Sequence, residues 1–279
     1  MGWTLTDDVG AYRAAADGLL RSEPERNTVL LSVLASLTRL GQAAFGAAPL
    51  LGWWPQDGAP RAAVLQTPPR PMLLTALPGE SAGQLAQALA DRGASLSGVN
   101  GPEADVTALA AAWRGLTGAN GRTHQRQRLY RLGALVPPDP APAGAPRIAA
   151  VADAAVVGSW FAAFAAETGQ ADAADEVVTD RLERGRIVLW EVVGEPVSMA
   201  GLTDVLAGVA RVGPVYTPGD RRDRGYGGAV TAAVSALALA RGAGSVILFT
   251  DLANPASNSL YRKLGYEPAE DRVVVVFDT

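Results

Sequence analysis

The sequence predicts an α/β fold in which a mixed central sheet is flanked by helices. In the C-terminal half, β-type residues at 212–216, a helical pattern over 226–241 and an apolar run at 246–249 follow one another. This order is typical of a β-α-β unit, and the unbroken apolar run is typical of a parallel strand covered on both faces. A proline-rich segment, 136–146, separates two halves with a similar order of elements. We therefore expect two tandem domains of one fold.

Most elements of the C-terminal half can be assigned from periodicity and end signals. The elements predicted before residue 216 are helices at 155–166 and 172–184 and strands at 187–193, 197–203 and 208–215. Val230 and Val234 then recur at helical spacing among alanines, and Gly242 ends that helix. The segment after the apolar run carries Asn254 as an N-cap and Pro255 at the first helical position, so a further helix is expected there.

The N-terminal half has its own helix and strand signals. Thr6 is expected to cap a helix through Leu20, and Asn27 is expected to cap a second helix with an apolar stripe. The remaining predicted elements are strands at 50–54, 62–66 and 72–75, helices at 81–92 and 102–113, and a strand at 125–132. An unrelated α/β domain is the alternative to a second copy of the same fold.

The loop at 217–227, which reads T-P-G-D-R-R-D-R-G-Y-G, is the most informative part of the chain. Gly225 and Gly227 leave backbone N–H groups uncovered at the start of a helix, and arginines stand beside them. Unpaired amides and the helix dipole both favour negative charge. The loop therefore predicts a phosphate site, with an ordinary strand-to-helix loop as the alternative reading.

Two motifs in this half resemble GNAT superfamily N-acetyltransferases. Arg222, Gly225 and Gly227 match R-x-x-G-x-G, the acetyl-CoA pyrophosphate loop of that family. The family's second motif, N-x-x-x-x-x-x-Y-x-x-x-G-[FY], is matched by Asn254, Tyr261, Gly265 and Tyr266. The resemblance covers roughly 146–279 and implies a GNAT fold, acetyl-CoA as co-substrate and a primary amine of a small molecule or peptide as acceptor.

The resemblance also implies which residues hold acetyl-CoA. The implied residues are Val215, Tyr216, Thr217, Arg222, Asp223, Arg224, Gly225, Tyr226, Gly227, Asn254 and Asn258. In the family, a backbone N–H on the strand before the loop donates to the thioester carbonyl. The resemblance places this N–H near Val215, where the parallel strands are expected to separate. A normal sheet amide is the alternative for that group.

Tyr261 is the candidate general acid that protonates the departing thiolate. Leu260 and Leu264 lie four residues apart and are expected to face the core, which turns Tyr261 toward a different surface. A phenol with a pKa of about 10 keeps its proton at neutral pH. The alternative is a tyrosine that only packs against the sheet.

The general base is left open by the sequence. Many family members place a glutamate on the strand that leads to the loop, whereas this strand carries Arg211 and no carboxylate. Asp204, Glu191 and Glu167 are candidates, and a water-mediated route is equally consistent. The missing carboxylate also keeps open a rival function, a non-catalytic acyl-CoA-binding sensor.

The acceptor pocket is expected on the first helices of the C-terminal half, lined by Trp160, Phe161, Phe164 and Glu167. Core packing of the aromatic residues is the alternative. In the N-terminal half, the sequence Q-T-P-P-R-P at 66–71 stands where a phosphate loop would be expected, and its prolines remove amides. We therefore expect 1–135 to be a degenerate copy, 136–146 a linker and 147–279 the catalytic domain.

Composition narrows the function classes. With 279 residues the chain is long enough for two domains, and it lacks cysteine, which excludes disulfides and thiolate chemistry. One histidine argues against a histidine zinc centre, and a net charge of −4 argues against nucleic acid as a partner. No unbroken apolar run of membrane-spanning length and no signal peptide is evident. We expect a metal-free, cytoplasmic protein that is a monomer or a homodimer. Because Lys263 is the only lysine and nearly all the positive charge is arginine, we also expect a GC-rich bacterial genome.

Overall fold

The computed structural model describes residues 2–56, 58–169 and 175–278. The strands are β1 (Thr4–Thr6), β2 (Leu50–Gln56), β3 (Ala59–Gln66), β4 (Met72–Leu74), β5 (Gly98–Pro102), β6 (Gly121–Leu132), β7 (Ala145–Ile148), β8 (Ile187–Val192), β9 (Glu195–Leu202), β10 (Val209–Tyr216), β11 (Ser245–Asp251) and β12 (Tyr266–Phe277). The helices are α1 (Val9–Ser22), α2 (Thr28–Leu40), α3 (Ser81–Asp91), α4 (Glu103–Thr117), α5 (Ala154–Thr168), α6 (Asp175–Glu183), α7 (Tyr226–Ala240) and α8 (Pro255–Lys263). The predicted α/β class with a mixed sheet is confirmed. Residues 172–174, predicted as helix, lie outside the described ranges.

The chain divides into two compact units. The first contains the described residues up to Arg128 and those from Asp271 onward, and the second runs from Leu129 to Glu270. In the first unit the strand order is β1-β2-β3-β4-β5-β12, with β4 and β5 parallel and the other neighbours antiparallel. In the second unit the order is β6-β11-β10-β9-β8-β7, with β10 and β11 parallel and β7 to β10 antiparallel.

The first two helices begin differently from the sequence prediction. The N-cap of α1 is Asp8, whose Oδ1 accepts from the amides of Gly10 at 2.7 Å and Ala11 at 3.1 Å. Thr6 was therefore the wrong cap, and its hydroxyl accepts from the Asp8 amide instead. Asn27 occupies the N-cap position of α2, but its side chain makes no capping bond and donates to the Leu20 carbonyl.

In the first unit, the connection between two parallel strands comes later in the chain than the sequence suggested. Residues 67–71 join the antiparallel strands β3 and β4 by a tight turn, in which the Arg70 amide donates to the Thr67 carbonyl. The helix that follows β4 is α3, and the parallel strand after it is β5. The counterpart of a phosphate loop is therefore the segment 75–80, not 66–71. It leads to Ser81, which is fully buried at the start of α3.

The sheet of the second unit is covered by helices on both faces. On one face α7 and α8 pack against alternate residues of β8 to β11, including Val188, Val212 and Leu248. On the other face α5 and α6 pack against Ile187, Leu189 and Met199. Residues two apart on a strand share a face, so this alternation follows from the pleat. The segment between β10 and α7 therefore lies at the carboxyl end of a central strand.

Candidate functional site

The parallel strands β10 and β11 separate toward their carboxyl ends. Residues 209–212 pair with 245–248, and within the described ranges the parallel pairing ends at Val212 although β10 continues to Tyr216. On its other side β10 stays paired with β9 through Val215 and Ala200, after a register shift that begins at Val212. The separation leaves the edge of β10 beside Val215 without a parallel neighbour. This separation of the two strands, the strand splay, lies where it was expected.

The loop after Tyr216 bends sharply before α7 begins. It contains a short 3-10 turn, Gly219–Arg221, and then two residues with left-handed backbone, Asp223 at φ 60° and Gly225 at φ 81°. Left-handed residues interspersed in a turn point successive N–H groups into one concavity, which suits an anion. Glycine at 225 adopts this conformation without steric cost, whereas an L side chain there would be strained.

The first turn of α7 presents unpaired amides. Gly225 is the N-cap and provides no side-chain cap, and the first turn carries no acidic residue. The N–H groups of residues 225–228 donate to no acceptor in the described parts of the chain. The first amides of a helix have no partner within the helix, so they are available to a ligand. This arrangement fits a pyrophosphate, which the helix dipole would also favour.

Glycine keeps the start of α7 open. A β-carbon at position 227 would lie 3.4 Å from the Thr217 hydroxyl oxygen, and one at position 228 would lie 3.0 Å from a methyl carbon of Leu260. Larger side chains at these positions would therefore fill the space beside the amides. We use "cradle" below for residues 222–228, whose backbone borders this space.

The proline-rich segment borders the cradle. A β-carbon at position 225 would lie 3.6 Å from Pro142, and one at position 228 would lie 3.6 Å from Pro138. The Val136 amide donates to the Leu264 carbonyl at 3.0 Å, and the Trp190 indole donates to the Ala143 carbonyl at 2.9 Å. Sequence reasoning gave this segment only a connecting role, because nothing in its composition shows which surface it lies against.

Arg222 joins the cradle to α5. Its Nε donates to the Thr217 carbonyl at 2.9 Å, and its Nη2 donates to both carboxylate oxygens of Glu167 at 2.7 Å. The hydrogen bonds from Arg222 to Glu167 raise the pKa of Arg222. The Tyr216 hydroxyl also donates to Glu167, at 3.4 Å, and burial together with the Glu167 charge raises the pKa of Tyr216. Sequence analysis assigned Arg222 to the cofactor and Glu167 to the acceptor, whereas here they form one ion pair.

The other arginine assigned to the cofactor is engaged locally. Arg224 donates from Nη2 to the Asp220 carbonyl at 3.2 Å, and Arg221 forms an ion pair with the Asp220 carboxylate at 3.2 Å. Both side chains are on the exposed outer side of the loop, as is Asp223. The backbone of Asp223 and Arg224 therefore forms part of the cradle, while the Arg224 side chain stabilises the loop.

Tyr261 is buried in an aromatic cluster with Tyr130 and Tyr266. Its ring centroid lies 6.5 Å from that of Tyr130 and 6.1 Å from that of Tyr266. Only 7% of the residue is exposed, so the expectation that it faces a different surface from Leu264 was wrong. Burial raises the pKa of Tyr261 to about 12.

The three hydroxyl groups of this cluster differ in their partners. The Tyr130 hydroxyl donates to Asn258 Oδ1 at 3.0 Å, and the Tyr266 hydroxyl lies 2.7 Å from the hydroxyl of Ser235. The Tyr261 hydroxyl has no hydrogen-bond partner among the residues that the structure describes. It is therefore the hydroxyl of the three that can bond to a ligand without losing a partner.

Asn254 and Asn258 hold α8 in place. Asn254 Oδ1 accepts from the Ser257 amide at 3.0 Å, which confirms the predicted N-cap. Asn258 Nδ2 donates to the carbonyls of Asp251 at 2.8 Å and Asn254 at 2.7 Å, while its Oδ1 accepts from Tyr130. Both amide groups of Asn258 are therefore engaged within the protein.

The three carboxylates considered as general base are all ion-paired. Asp204 accepts from Arg184 at 2.7 Å and also from Arg186. Glu191 accepts from Arg147 at 2.6 Å, and the Glu167 carboxylate accepts from Arg222. Each of the three carboxylates is therefore already engaged by at least one guanidinium group.

The aromatic residues proposed for the acceptor lie on α5. The ring of Trp160 is 6.2 Å from that of Tyr216, and Trp160 and Phe164 are partly buried at the edge of the cluster formed by α5 and α6. Phe161 is buried, and the guanidinium carbon of Arg181 lies 5.5 Å from its ring centroid. Sequence reasoning missed Arg181, since a charged residue on an amphipathic helix is normally solvated.

Among the described residues no helix is long and apolar enough to cross a membrane. The same part of the chain holds no group of three or more His, Asp or Glu side chains placed to bind a metal ion.

Comparisons with known proteins agree with this fold. Residues 156–266 match the Acetyltransferase (GNAT) family. The sequence matches none of the curated proteins with which it was compared.

Solved structures resemble the chain over most of its length. A GCN5-related N-acetyltransferase from Sphaerobacter thermophilus is 18% identical with a TM-score of 0.60, over 98% of this chain and 94% of that one. A GCN5-related N-acetyltransferase from Kribbella flavida is 20% identical with a TM-score of 0.58, over 89% of this chain and 96% of that one. A GNAT-family acetyltransferase from Colwellia psychrerythraea is 15% identical with a TM-score of 0.53, over 88% of this chain and 96% of that one. At such identities these structures show the fold alone. The family match identifies residues 156–266 as an acetyltransferase domain of the GNAT family, whose members use acetyl-CoA and act on amines.

Proposed function

We propose that the second unit transfers the acetyl group of acetyl-CoA to a primary amine of a small molecule or peptide by direct attack. The observation that carries the proposal is the set of unpaired N–H groups at residues 225–228, beside the open edge of β10. Bound acetyl-CoA supplies the activated acetyl group. The cradle fits its pyrophosphate, because oriented amides and a helix N-terminus bind anions without any side-chain charge.

Each assigned residue has a proposed part in holding the cofactor. The backbone of 215–217 borders the strand splay, and an amide near Val215 polarises the thioester carbonyl, because no parallel neighbour engages that edge of β10. The backbone of residues 222–227 binds the pyrophosphate. Asn254 and Asn258 act indirectly, by fixing α8 and the tyrosine cluster through the hydrogen bonds described above.

We propose Tyr261 as the general acid. Its pKa of about 12, raised by burial, keeps the phenol protonated at neutral pH. Its hydroxyl has no partner among the described residues, in contrast to those of Tyr130 and Tyr266. A proton donor that is fixed by packing but free at its hydroxyl can protonate a departing thiolate, because the same apolar surroundings that raise the phenol pKa also disfavour a thiolate anion beside it.

We propose water as the proton acceptor for the attacking amine. Each candidate carboxylate forms an ion pair with arginine, which it would have to give up to accept a proton from the amine. Arg211 stands on the strand where many relatives have a glutamate, and a guanidinium does not act as a base at neutral pH. A primary amine can lose its proton to bulk or ordered water before it attacks.

The alternative function is a module that binds acyl-CoA without turnover. Arg211 on β10 favours this alternative, because it stands on the strand where many relatives have a glutamate. Calorimetry with acetyl-CoA, followed by measurement of thiol release with a panel of amines, separates the two functions. Binding with amine-dependent thiol release supports the enzyme. Binding without thiol release for any amine supports the sensor, and absence of binding contradicts both.

We propose further that residues 1–135 are a degenerate copy of the fold, with 136–146 as linker and 147–279 as the catalytic domain. The first unit also contains a strand-helix-parallel strand crossover, β4-α3-β5, which supports common ancestry. However, α3 begins at the fully buried Ser81 and lacks a Gly-x-Gly turn. Binding of one acetyl-CoA per chain is therefore expected, and a stoichiometry of two in the calorimetric titration would contradict the degenerate copy.

A further inference from the structure

The proline-rich segment is fixed at both ends against the second unit. We use "strap" below for residues 136–144, all of which belong to that unit. At one end the Val136 amide donates to the Leu264 carbonyl at 3.0 Å, just after α8. At the other end the indole of Trp190 on β8 donates to the Ala143 carbonyl at 2.9 Å. The strap therefore runs from the end of α8 to β8.

Close approach of the main chain secures both ends. A β-carbon at position 265 would overlap the Ala134 carbonyl oxygen, which directly precedes the strap. A β-carbon at position 144 would overlap the Glu191 carbonyl oxygen, and the next residue, Ala145, pairs with Glu191 in the sheet. Between these ends the prolines restrict the backbone. The strap is therefore a stiff part of the second unit that lies in a defined place.

Two prolines of the strap contact the cradle. A β-carbon at position 225 would lie 3.6 Å from both Cβ and Cγ of Pro142, and one at position 228 would lie 3.6 Å from Cγ of Pro138. Both prolines are partly buried, whereas residues 139–141 between them are exposed. This pattern shows that the two rings face the protein, and the surface that they contact is the backbone of the cradle.

The strap contacts the cradle without occupying its hydrogen-bond donors. The N–H groups of residues 225–228 donate to no acceptor in the described parts of the chain, although Pro138 and Pro142 contact the backbone that carries them. A proline ring is apolar and has no N–H, so the strap adds carbon surface beside an anion site and no competing donor. Free donors bordered by apolar rings suit a ligand whose phosphate groups are flanked by carbon atoms.

We propose that the strap is one wall of the acetyl-CoA site, in which Pro138 and Pro142 contact the carbon atoms that flank the pyrophosphate. These atoms belong to the pantetheine arm or to the adenosine ribose, and both present C–H surface that a proline ring can bury. The inference rests on the proposed function for the identity of the ligand. It adds two binding residues from outside the matched range 156–266 and gives the proposed linker a second role.

The test is calorimetry on the full chain with matched proline variants. Pro138→Ala and Pro142→Ala remove the ring carbons that contact the cradle, and Pro137→Ala is the control, since Pro137 is an exposed proline of the same strap. The main probes are acetyl-CoA, which carries the flanking carbon atoms, and inorganic pyrophosphate, which lacks them. ADP and 4′-phosphopantetheine then separate the adenosine side from the pantetheine side. Thermal unfolding checks that each variant keeps the fold.

We expect Pro138→Ala and Pro142→Ala each to raise the Kd of acetyl-CoA by about fourfold, because burial of one methylene group contributes about this factor. The double variant should raise it by about tenfold or more. Pyrophosphate should bind to all these variants as it does to the wild type, and Pro137→Ala should leave both affinities unchanged. Weaker binding of ADP assigns the contact to the ribose, and weaker binding of 4′-phosphopantetheine assigns it to the pantetheine arm.

Several results would overturn the wall. If the Kd of acetyl-CoA is unchanged or lower in both ring variants, the strap is only a linker or obstructs the cofactor. If Pro137→Ala weakens binding as much as they do, the effect comes from the stiffness of the strap and not from contact. If pyrophosphate binding falls equally, the rings shape the cradle and do not contact the flanking carbon atoms. A wild type that binds no acetyl-CoA would contradict the proposed function, and the wall with it.

Discussion

The ion pair between Glu167 and Arg222 gives a direct test of the cradle. Arg222 is the cationic side chain of the phosphate motif, yet its Nη2 is held by both Glu167 oxygens at 2.7 Å. If the pyrophosphate of acetyl-CoA draws on the same guanidinium, it must compete with this carboxylate. The change Glu167→Gln removes the negative charge and keeps the size of the side chain. We therefore expect it to tighten acetyl-CoA binding.

The magnitude follows from the exposure of the pair. The side chains of Arg222 and Glu167 are 46% and 49% exposed, so water screens their interaction strongly. Exposed ion pairs of this kind contribute about 0.2–1 kcal/mol, which corresponds to a decrease in Kd of about 1.4- to 5-fold. Because salt screens exposed charges, the difference should shrink as ionic strength rises.

The assay is isothermal titration calorimetry with acetyl-CoA at low and at high salt. The matched control is Glu103→Gln in the first unit, where Arg126 and Glu103 form an ion pair with 53% and 45% exposed side chains. That change removes the same charge from the chain but lies outside the second unit, so it should leave the Kd unchanged. Thermal unfolding of both variants checks that the fold is retained.

The opposite result would refute the reasoning. If Glu167→Gln weakened acetyl-CoA binding, Glu167 would hold Arg222 in its productive position and would not compete for it. If both variants tightened binding equally, the effect would come from net charge alone. In either case the competition between carboxylate and pyrophosphate would be wrong.

The remaining predictions concern the cradle and Tyr261. Gly225→Ala should weaken acetyl-CoA binding and lower the Tm, because an L side chain at φ 81° is strained by about 1–2 kcal/mol. Gly227→Val should weaken binding with less effect on Tm, since position 227 has no positive φ and its β-carbon would lie 3.4 Å from the Thr217 hydroxyl. Calorimetry and thermal unfolding check both, and unchanged affinity in both would contradict the cradle. Tyr261→Phe should leave binding intact and lower kcat by about 10²–10⁴-fold. Since the pKa of Tyr261 is raised to about 12, the phenol keeps its proton through neutral and mildly alkaline pH, so the kcat profiles of both proteins should have the same shape below about pH 10. An equal kcat in the wild type and in Tyr261→Phe would show that Tyr261 only packs against its neighbours and donates no proton.

The features that sequence predicted well depend on local signals. The end of β10, the turn at Gly225 and the start of α7 were predicted because glycine, proline and helical spacing act over a few residues. The N-cap of α8 at Asn254 was predicted for the same reason. Even local signals can mislead when two candidates are adjacent, as when Asp8 caps α1 in place of Thr6.

The strand β5 shows why other elements were missed. It reads G-V-N-G-P, which has the composition of a turn, and no strand was predicted there. In the first unit, a β-carbon at position 98 would overlap the Val275 carbonyl, and one at position 101 would lie 2.9 Å from Leu74. Glycine at these positions therefore permits close approach of neighbouring elements. The same composition serves a loop or a tightly packed strand, and only the partner strand decides between them.

The site depends on contacts that no local pattern encodes. Glu167 meets Arg222 across 55 positions of sequence, and Tyr130 fixes Asn258 across 128. The helical spacing of α8 placed Tyr261 away from Leu264, but Tyr130 and Tyr266 provide a second apolar surface that buries it. Arg181 has the position of a solvated helical charge, but glycine at 201 leaves it room beside β10, where it donates to the Gly213 carbonyl. Sequence motifs thus predicted a cofactor side for this domain, where backbone amides dominate, because backbone geometry follows from local residues. The proposed acceptor side is built from side chains that distant elements bring together, and for that reason its chemistry has to be argued from the folded chain.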